Sequence, residues 1–352
     1  MNIVVSSVVS GLVTALVIKV LCRVSGRLGL VDHPGGHRMH DTGTPLVGGL
    51  AMFAGVMFAM LTWDAPLSMF RPLVAGGAIV LMIGVLDDLH DTSAAMRFAG
   101  QIGAMLIMVY WGGVELQSFG RLVGPEILIL GLWSAPVTIF AGVGVMNSMN
   151  MSDGMDGLAG FLSLIVLGLL LVAGGNSISH PDSGLLFIVL AAVAAFLLFN
   201  LPAFGRHRAV VFMGDAGSLF LGFLLCWFLI GLSQGEDRAI RPVTALWIIA
   251  IPLFDTVGVM LRRILERSSP FQADRTHYHH ILRDLGLESR TTLLVVVASA
   301  AVFGVIGLAG EYLPIPESIM FYGFLTGFAC YFVGSSLLVG KLRKARSVSP
   351  LS

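Results

Sequence analysis

The sequence predicts an all-α integral membrane protein of about 11 transmembrane helices, and two features of its composition carry that prediction. Of its 352 residues, 56% belong to the set Ala, Val, Ile, Leu, Met, Phe, Trp, Tyr and Cys, and another 43 are Gly. Only 12% are charged, against roughly 25% in an ordinary soluble domain. So few charges cannot cover a water-soluble enzyme of this size, and the same apolar excess excludes disorder and coiled coil. Lys plus Arg and Asp plus Glu each number 21, so the net charge is zero, and the basic surplus of a nucleic-acid binder is missing. A helix crossing about 30 Å of hydrocarbon needs roughly 20 mostly apolar residues. Such runs fall at about 3–22, 47–63, 72–86, 94–111, 127–147, 157–174, 184–201, 217–233, 242–265, 291–309 and 318–340. No tandem repeat or long linker divides them, so residues 1–352 read as one polytopic domain.

The first run has no charge before it and Lys19, Arg23 and Arg27 at or beyond its end. That is the reverse of a secretory signal, so it reads as a retained helix with the N-terminus outside. On that footing Lys19, Arg23, Arg27, Arg38, Arg97, Arg206, Arg208, Arg262, Arg263, Arg267, Arg275, Arg283, Arg290, Lys341, Arg343, Lys344 and Arg346 share one face. Only Arg71, Arg121, Arg238 and Arg241 lie opposite. The basic face is therefore cytoplasmic and holds the C-terminus. Eight of the nine His and the dense acidic clusters fall on that side too. Cys22, Cys226 and Cys330 show neither zinc-ligand spacing nor a disulfide framework and read as small buried hydrophobes.

Taken in order, the first inside loop holds Asp32-His33-Pro34 and His37-Arg38-Met39-His40. The third run ends Asp87-Asp88-Leu89-His90-Asp91. If helix continues there, Asp87 and Asp91 share a face beside Asp88. Three carboxylates so close repel unless a cation or proton intervenes; solvated helix-end charge is the plainer alternative. The fifth run closes on Asn150-Met151-Ser152-Asp153-Gly154-Met155-Asp156-Gly157, and the eighth is preceded by Phe212-Met213-Gly214-Asp215-Ala216-Gly217-Ser218. Each sets acids and glycines before a helix whose N-terminal N–H groups and positive dipole end face the cytoplasm. Such ends suit phosphate, and carboxylate and amide oxygens suit Mg²⁺, whereas ordinary N-capping by Asp or Asn is the competing account. In the ninth run Pro252 predicts a kink, and Asp255 is an acid within a span, for which an arginine partner is an equal alternative. The loop beyond it ends His277-Tyr278-His279-His280. Without Cys or a carboxylate-rich cage, that run suits an anionic diphosphate better than a transition metal.

Asp87-Asp88, Asn150–Gly157, Phe212–Ser218 and His277–His280, in that order across residues 30–290, resemble the polyprenyl-phosphate N-acetylhexosamine-1-phosphate transferase family. Within it, the His-Tyr-His-His run looks closest to the bacterial branch that moves GlcNAc-1-phosphate from UDP-GlcNAc to undecaprenyl phosphate. The peptidoglycan branch carries a consecutive His triplet, which Tyr278 interrupts here. The resemblance implies Mg²⁺, with Mn²⁺ as a substitute, and UMP as by-product. It also implies a place at the bacterial inner membrane, initiating polysaccharide such as O antigen, and a homodimer. By the same resemblance Asp215 and Asn150 bind the metal, Asp87 accepts a proton from the lipid phosphate with Asp88 in support, and Asp153 shapes the metal or diphosphate site. Asp156 and Phe212 hold uracil, and Arg97 (with Gln101 one turn on) meets phosphate. His277, His279 and His280 contact the diphosphate and sugar. UDP-MurNAc-pentapeptide, UDP-QuiNAc and UDP-FucNAc are alternative donors. A cation- or proton-coupled transporter is the alternative of another class, since intramembrane acids and broken helices serve carriers as well.

Overall fold

The computed structural model describes residues 2–32, 43–64, 67–174, 181–202, 206, 208–269 and 276–348. His33-Pro34, His37–His40 and Pro270–Arg275 lie outside the described residues. Helix dominates, and one departure from an all-α chain is a short antiparallel pair, β1 (Val31–Asp32) with β2 (Thr44–Pro45). The chain divides into two compact units, Met1–Ser118 with Leu130–Ile240, and Phe119–Ile129 with Arg241–Ser352.

The first unit contains α1 (Ile3–Leu28), α2 (Gly48–Thr62), α3 (Arg71–His90), α4 (Ala94–Leu106), α5 (Ser134–Ser152), α6 (Leu158–Ala173), α7 (Pro181–Asn200) and α8 (Gly214–Gly231). Helix α8 is its axis: every residue from 214 to 230 except Asp215 is buried, with α3 and α5 packed along it. Small residues make this closeness feasible, as in membrane helices generally. On α1 they form a stripe four residues apart, Ser6, Ser10 and Thr14, wholly buried against its neighbours. Ser10 donates to the Ile188 carbonyl at 2.9 Å. The opposite face, with Val4, Val8, Leu12 and Leu16, is exposed, as expected of a lipid-facing surface.

The second unit contains α9 (Pro242–Ile248), α10 (Ala250–Leu265), α11 (Tyr278–Asp284), α12 (Ser289–Tyr312) and α13 (Glu317–Val348). Its core is aromatic: Phe254 packs against Phe303, Phe324, Phe328 and Tyr331 with ring centroids 4.9–5.9 Å apart. The kink expected near Pro252 is present, a 77° bend between α9 and α10. Ile249 leaves the helical region (φ −106°, ψ 17°), and Pro252 has no N–H to give the Ile248 carbonyl.

Ten of the eleven expected apolar runs coincide with helix to within a few residues at their ends, whereas the run at 127–147 starts too early: residues 127–130 are not helical and α5 begins at Ser134. Among the described residues, eight helices are long and apolar enough to cross a membrane, and the bent α9–α10 pair makes a ninth if it counts as one span. Helices α2 and α6 are as apolar but only 15 and 16 residues long, about 22–24 Å. The protein is thus a multi-pass, helical membrane protein. Of the cysteines, Cys226 is buried as expected, whereas Cys22 is half-buried and Cys330, in α13, is exposed.

Candidate active site

The site in the first unit is built where the end of α3 meets the start of α8. Gly84 lies so close to α8 that a Cβ there would stand 2.3 Å from the Ala216 Cα. One turn later, that contact delivers Asp88 to the N-terminus of α8. Its carboxylate accepts from the backbone N–H of Asp215 at 2.8 Å and of Ala216 at 3.2 Å. Asp88 therefore caps a helix distant in sequence, with two consequences for the site. The first-turn N–H groups of α8 are not all open to phosphate, and both Asp88 oxygens are already engaged. Gly214 completes the junction at φ 71°, where any Cβ would press on the Asp88 carboxylate.

Helix α3 does continue through His90, but Asp91 closes it in a left-handed cap (φ 48°), its N–H donating to the Asp87 carbonyl. The expected helical alignment of Asp87 with Asp91 gives way to this turn. Asp87 is buried and doubly held: Oδ1 accepts from the Thr92 N–H and hydroxyl, each at 2.7 Å, and Oδ2 from Arg97 at 2.7 Å. Arg97 thus faces a carboxylate, while 40% of its side chain stays exposed. Gln101, one turn on, is buried and accepts from Asn147 Nδ2 at 2.7 Å. Asn150 points its Nδ2 at Asp215 Oδ1, 2.7 Å, and at Ser218 Oγ, 2.9 Å. Asp215 and Asp87 line the same cavity, so two acids face one space.

Asp153 and Asp156 follow α5. Burial and the nearby Asp215, Asp88 and Asp156 charges push the Asp153 carboxyl well above the usual carboxylate range. Burial also raises Asp156, partly offset by a hydrogen bond from the Ala209 N–H. Phe212 is fixed beside β2, its N–H donating to the Pro45 carbonyl at 2.8 Å. Sequence reading missed Asn200, which ties these pieces together: Oδ1 accepts from Gly157 N–H at 2.7 Å and Nδ2 donates to the Val211 carbonyl at 2.9 Å. An Asn at the end of an apolar helix is the only local hint of that role.

These side chains line one cavity of roughly 520 Å³, with carboxyl groups from Asp32, Asp87, Asp88, Asp91, Asp153, Asp156 and Asp215, together with Asn150, Asn200 and Phe212. Its donors are hard oxygens, the kind Mg²⁺ prefers. Among the described residues no three His, Cys, Asp or Glu side chains already stand in metal-ligating array. Mg²⁺ commonly takes one or two carboxylates and completes its shell with water and substrate phosphate. Mutual repulsion among the acids gives a physical reason for a cation here, so the donor set fits it.

The histidines belong to the second unit. His277 and His279 are buried, their rings 6.1 Å apart and nearly parallel, with His280 4.2 Å from His279. Burial and the neighbouring histidines push His279 down to about 4. Asp255 is bonded to His277 and to Tyr331, so the arginine partner entertained from sequence is replaced by a histidine and a phenol.

Comparison with known proteins agrees with this picture. The family model described as glycosyl transferase family 4 matches residues 70–233. An undecaprenyl-phosphate alpha-N-acetylglucosaminyl 1-phosphate transferase of Yersinia pestis is 40% identical over 310 residues, 88% of this chain and 85% of the relative. The protein of the same name in Escherichia coli strain K12 is 37% identical over 313 residues, 88% and 84% of the two chains. That of Haemophilus influenzae is 35% identical over 309 residues, 86% of each.

Proposed function

This chain belongs to glycosyl transferase family 4, among the polyprenyl-phosphate N-acetylhexosamine-1-phosphate transferases, and from that premise we propose that it transfers GlcNAc-1-phosphate from UDP-GlcNAc to undecaprenyl phosphate. The products are undecaprenyl-diphosphate-GlcNAc and UMP. In this reading the chain has 11 spans and a cytoplasmic active face at the bacterial inner membrane, and its reaction initiates a cell-envelope polysaccharide. The observation that carries the proposal is the carboxylate-lined cavity, in which Asp215 and Asn150 meet the capped start of α8.

An oxygen of the lipid phosphate attacks the β-phosphorus of UDP-GlcNAc. One P–O bond forms, the bond to the oxygen bridging the two phosphates breaks, and UMP leaves with that electron pair. One phosphoanhydride replaces another, so the enzyme's task is positioning and charge neutralisation. When bound, Mg²⁺ supplies the positive charge that two anionic substrates need at this acidic surface, held by Asp215 and Asn150. Asp87, oriented by Thr92 and Arg97, takes the remaining proton of the lipid phosphate. The exposed part of the Arg97 guanidinium, with N–H donors left beside the one given to Asp87, reaches the phosphate without releasing Asp87. Asp88 acts by holding the α8 start in place. Asp153 shapes the diphosphate pocket, and Asp156 and Phe212 hold uracil by hydrogen bond and stacking. For His277, His279 and His280 the family resemblance supports contact with the diphosphate and sugar.

The test is UMP release by purified protein in detergent with UDP-GlcNAc, undecaprenyl phosphate and Mg²⁺, alongside a panel of other UDP-N-acetylhexosamines. Release should require lipid, donor and metal together, and UDP-GlcNAc should be the best donor. No UMP from any donor would overturn the reading. Rapid release without lipid would replace direct attack by a covalent phosphosugar on an aspartate.

A further inference from the structure

Asp255 is a buried acid that the proposed reaction leaves without a role. It lies in α10, only 5% exposed, and three donors converge on it. Oδ1 accepts from the Tyr278 N–H and the Tyr331 hydroxyl, each at 2.8 Å, and Oδ2 stands 2.9 Å from His277 Nδ1. A carboxyl already receiving two donors on one oxygen is set as an acceptor, so the proton of the third contact comes from His277. The imidazole is thereby held as its Nδ1–H tautomer, with Nε2 directed away from Asp255.

Helix α13 supports this arrangement along one face. Tyr331, Ser335, Val339 and Arg343 recur every four residues. Tyr331 meets Asp255, Ser335 accepts from Arg262 at 2.8 Å, Val339 is buried, and Arg343 pairs with Glu266 at 2.6 Å. Arg262 also donates to the Thr276 carbonyl at 2.8 Å, pinning the chain one residue before His277. The His277 ring lies nearly parallel to that of His279, 6.1 Å away, and His280 is tilted 42° against His279 at 4.2 Å, so the three rings form one cluster that begins at His277.

We propose that Asp255, backed by Tyr331, is a positioning residue for the transfer reaction, fixing the tautomer and plane of His277. The inference rests on the proposed contact between His277 and the substrate diphosphate. Asp255→Asn tests it sharply. The single carbonyl oxygen of Asn stays with Tyr278 and Tyr331, so its amide NH₂ lands on His277 Nδ1, which must then accept. The ring should switch to the Nε2–H tautomer, visible by nitrogen-15 NMR of histidine-labelled protein in nanodiscs. The wrong tautomer should lower kcat/KM for UDP-GlcNAc by about 30- to 300-fold. His277→Ala should lose a similar amount, and the double variant should fall less than about twofold below His277→Ala, because the two act as a unit. Tyr331→Phe, the milder change, should keep the tautomer and lose about two- to fivefold. Additive losses in the double variant, or an unchanged His277 tautomer in Asp255→Asn, would overturn the positioning role while leaving the transferase reading intact. A switched tautomer with wild-type turnover in both Asp255→Asn and His277→Ala would instead remove His277 from the substrate contacts, and the inference with it.

Discussion

Gly84→Ala places a single methyl group where α3 meets the first turn of α8. The added Cβ would stand 2.3 Å from Ala216 Cα, 2.4 Å from its nitrogen and 2.6 Å from the Asp215 carbonyl carbon, all backbone atoms that cannot rotate aside. Ordinary contact begins near 3.4 Å, so the helices must part by about 1.1 Å. Asp88 now holds the Asp215 and Ala216 N–H groups at 2.8 and 3.2 Å, and that separation carries both past hydrogen-bonding range. Each bond to a charged group is worth about 1.5–3 kcal/mol, so losing the pair costs roughly 3 kcal/mol or more of local stability. Asp215 moves with the α8 start, and a misplacement of about 1 Å at reacting groups costs roughly 10²-fold in rate. UMP release by Gly84→Ala should therefore fall about 100-fold with a lower melting temperature. Gly103→Ala on α4, with open space around its added methyl, should retain both activity and stability. Wild-type turnover within about threefold for Gly84→Ala, at unchanged melting temperature, would refute the helix-contact reasoning.

Asp215→Ala should abolish transfer and Mg²⁺ dependence together; titrating Mg²⁺ against UMP release checks this, and retained Mg²⁺-activated turnover would remove the residue from the metal site. Asn200→Ala releases the Gly157 turn from the Val211 segment and should raise KM for UDP-GlcNAc about tenfold with kcat within about threefold, so an unchanged KM in steady-state kinetics would count against it. The Asp153 carboxyl is raised, so its stability contribution is complete below its ordinary pKa of about 3.9 and is lost as pH rises through the native value. In EDTA, Asp153→Asn should match the wild type near pH 4 and melt higher near pH 8; parallel melting curves would contradict the assignment. His279 is lowered to about 4, so its contribution is present above about 6.5 and is lost as pH falls toward the native value, on the order of 3 kcal/mol. His279→Gln should flatten the melting temperature between pH 6.5 and 4.5, and an equally steep loss in that variant would exclude His279 as its source.

Much of the candidate site was readable from local pattern alone. Acids beside glycines at helix starts singled out Asp153, Asp156 and Asp215, because capping chemistry is confined to a turn or two of chain, and the structure sets the three on one cavity. Asn150 and Phe212 came with the same segments. The bend at Ile249 was announced by Pro252, whose missing N–H acts on its own helix. The roles of Asn200 and Gly84 and the pairing of Asp255 with His277 were not readable, since each depends on a partner on another segment that no local pattern points to.

By itself, then, the sequence determined the helical, membrane-embedded character of the chain and the cast of acids, since apolar run length and helix-end chemistry are properties of contiguous residues. Tertiary structure decided the assignments. It made Asp88 the cap of α8, put Arg97 on Asp87, gave Asp255 a histidine, and left α2 and α6 shorter than the hydrocarbon thickness. Those outcomes depend on which helices approach within about 3 Å at a given level. That is a matter of close contacts between segments 10 to 127 residues apart in the chain, for which no periodicity along the chain provides a signal.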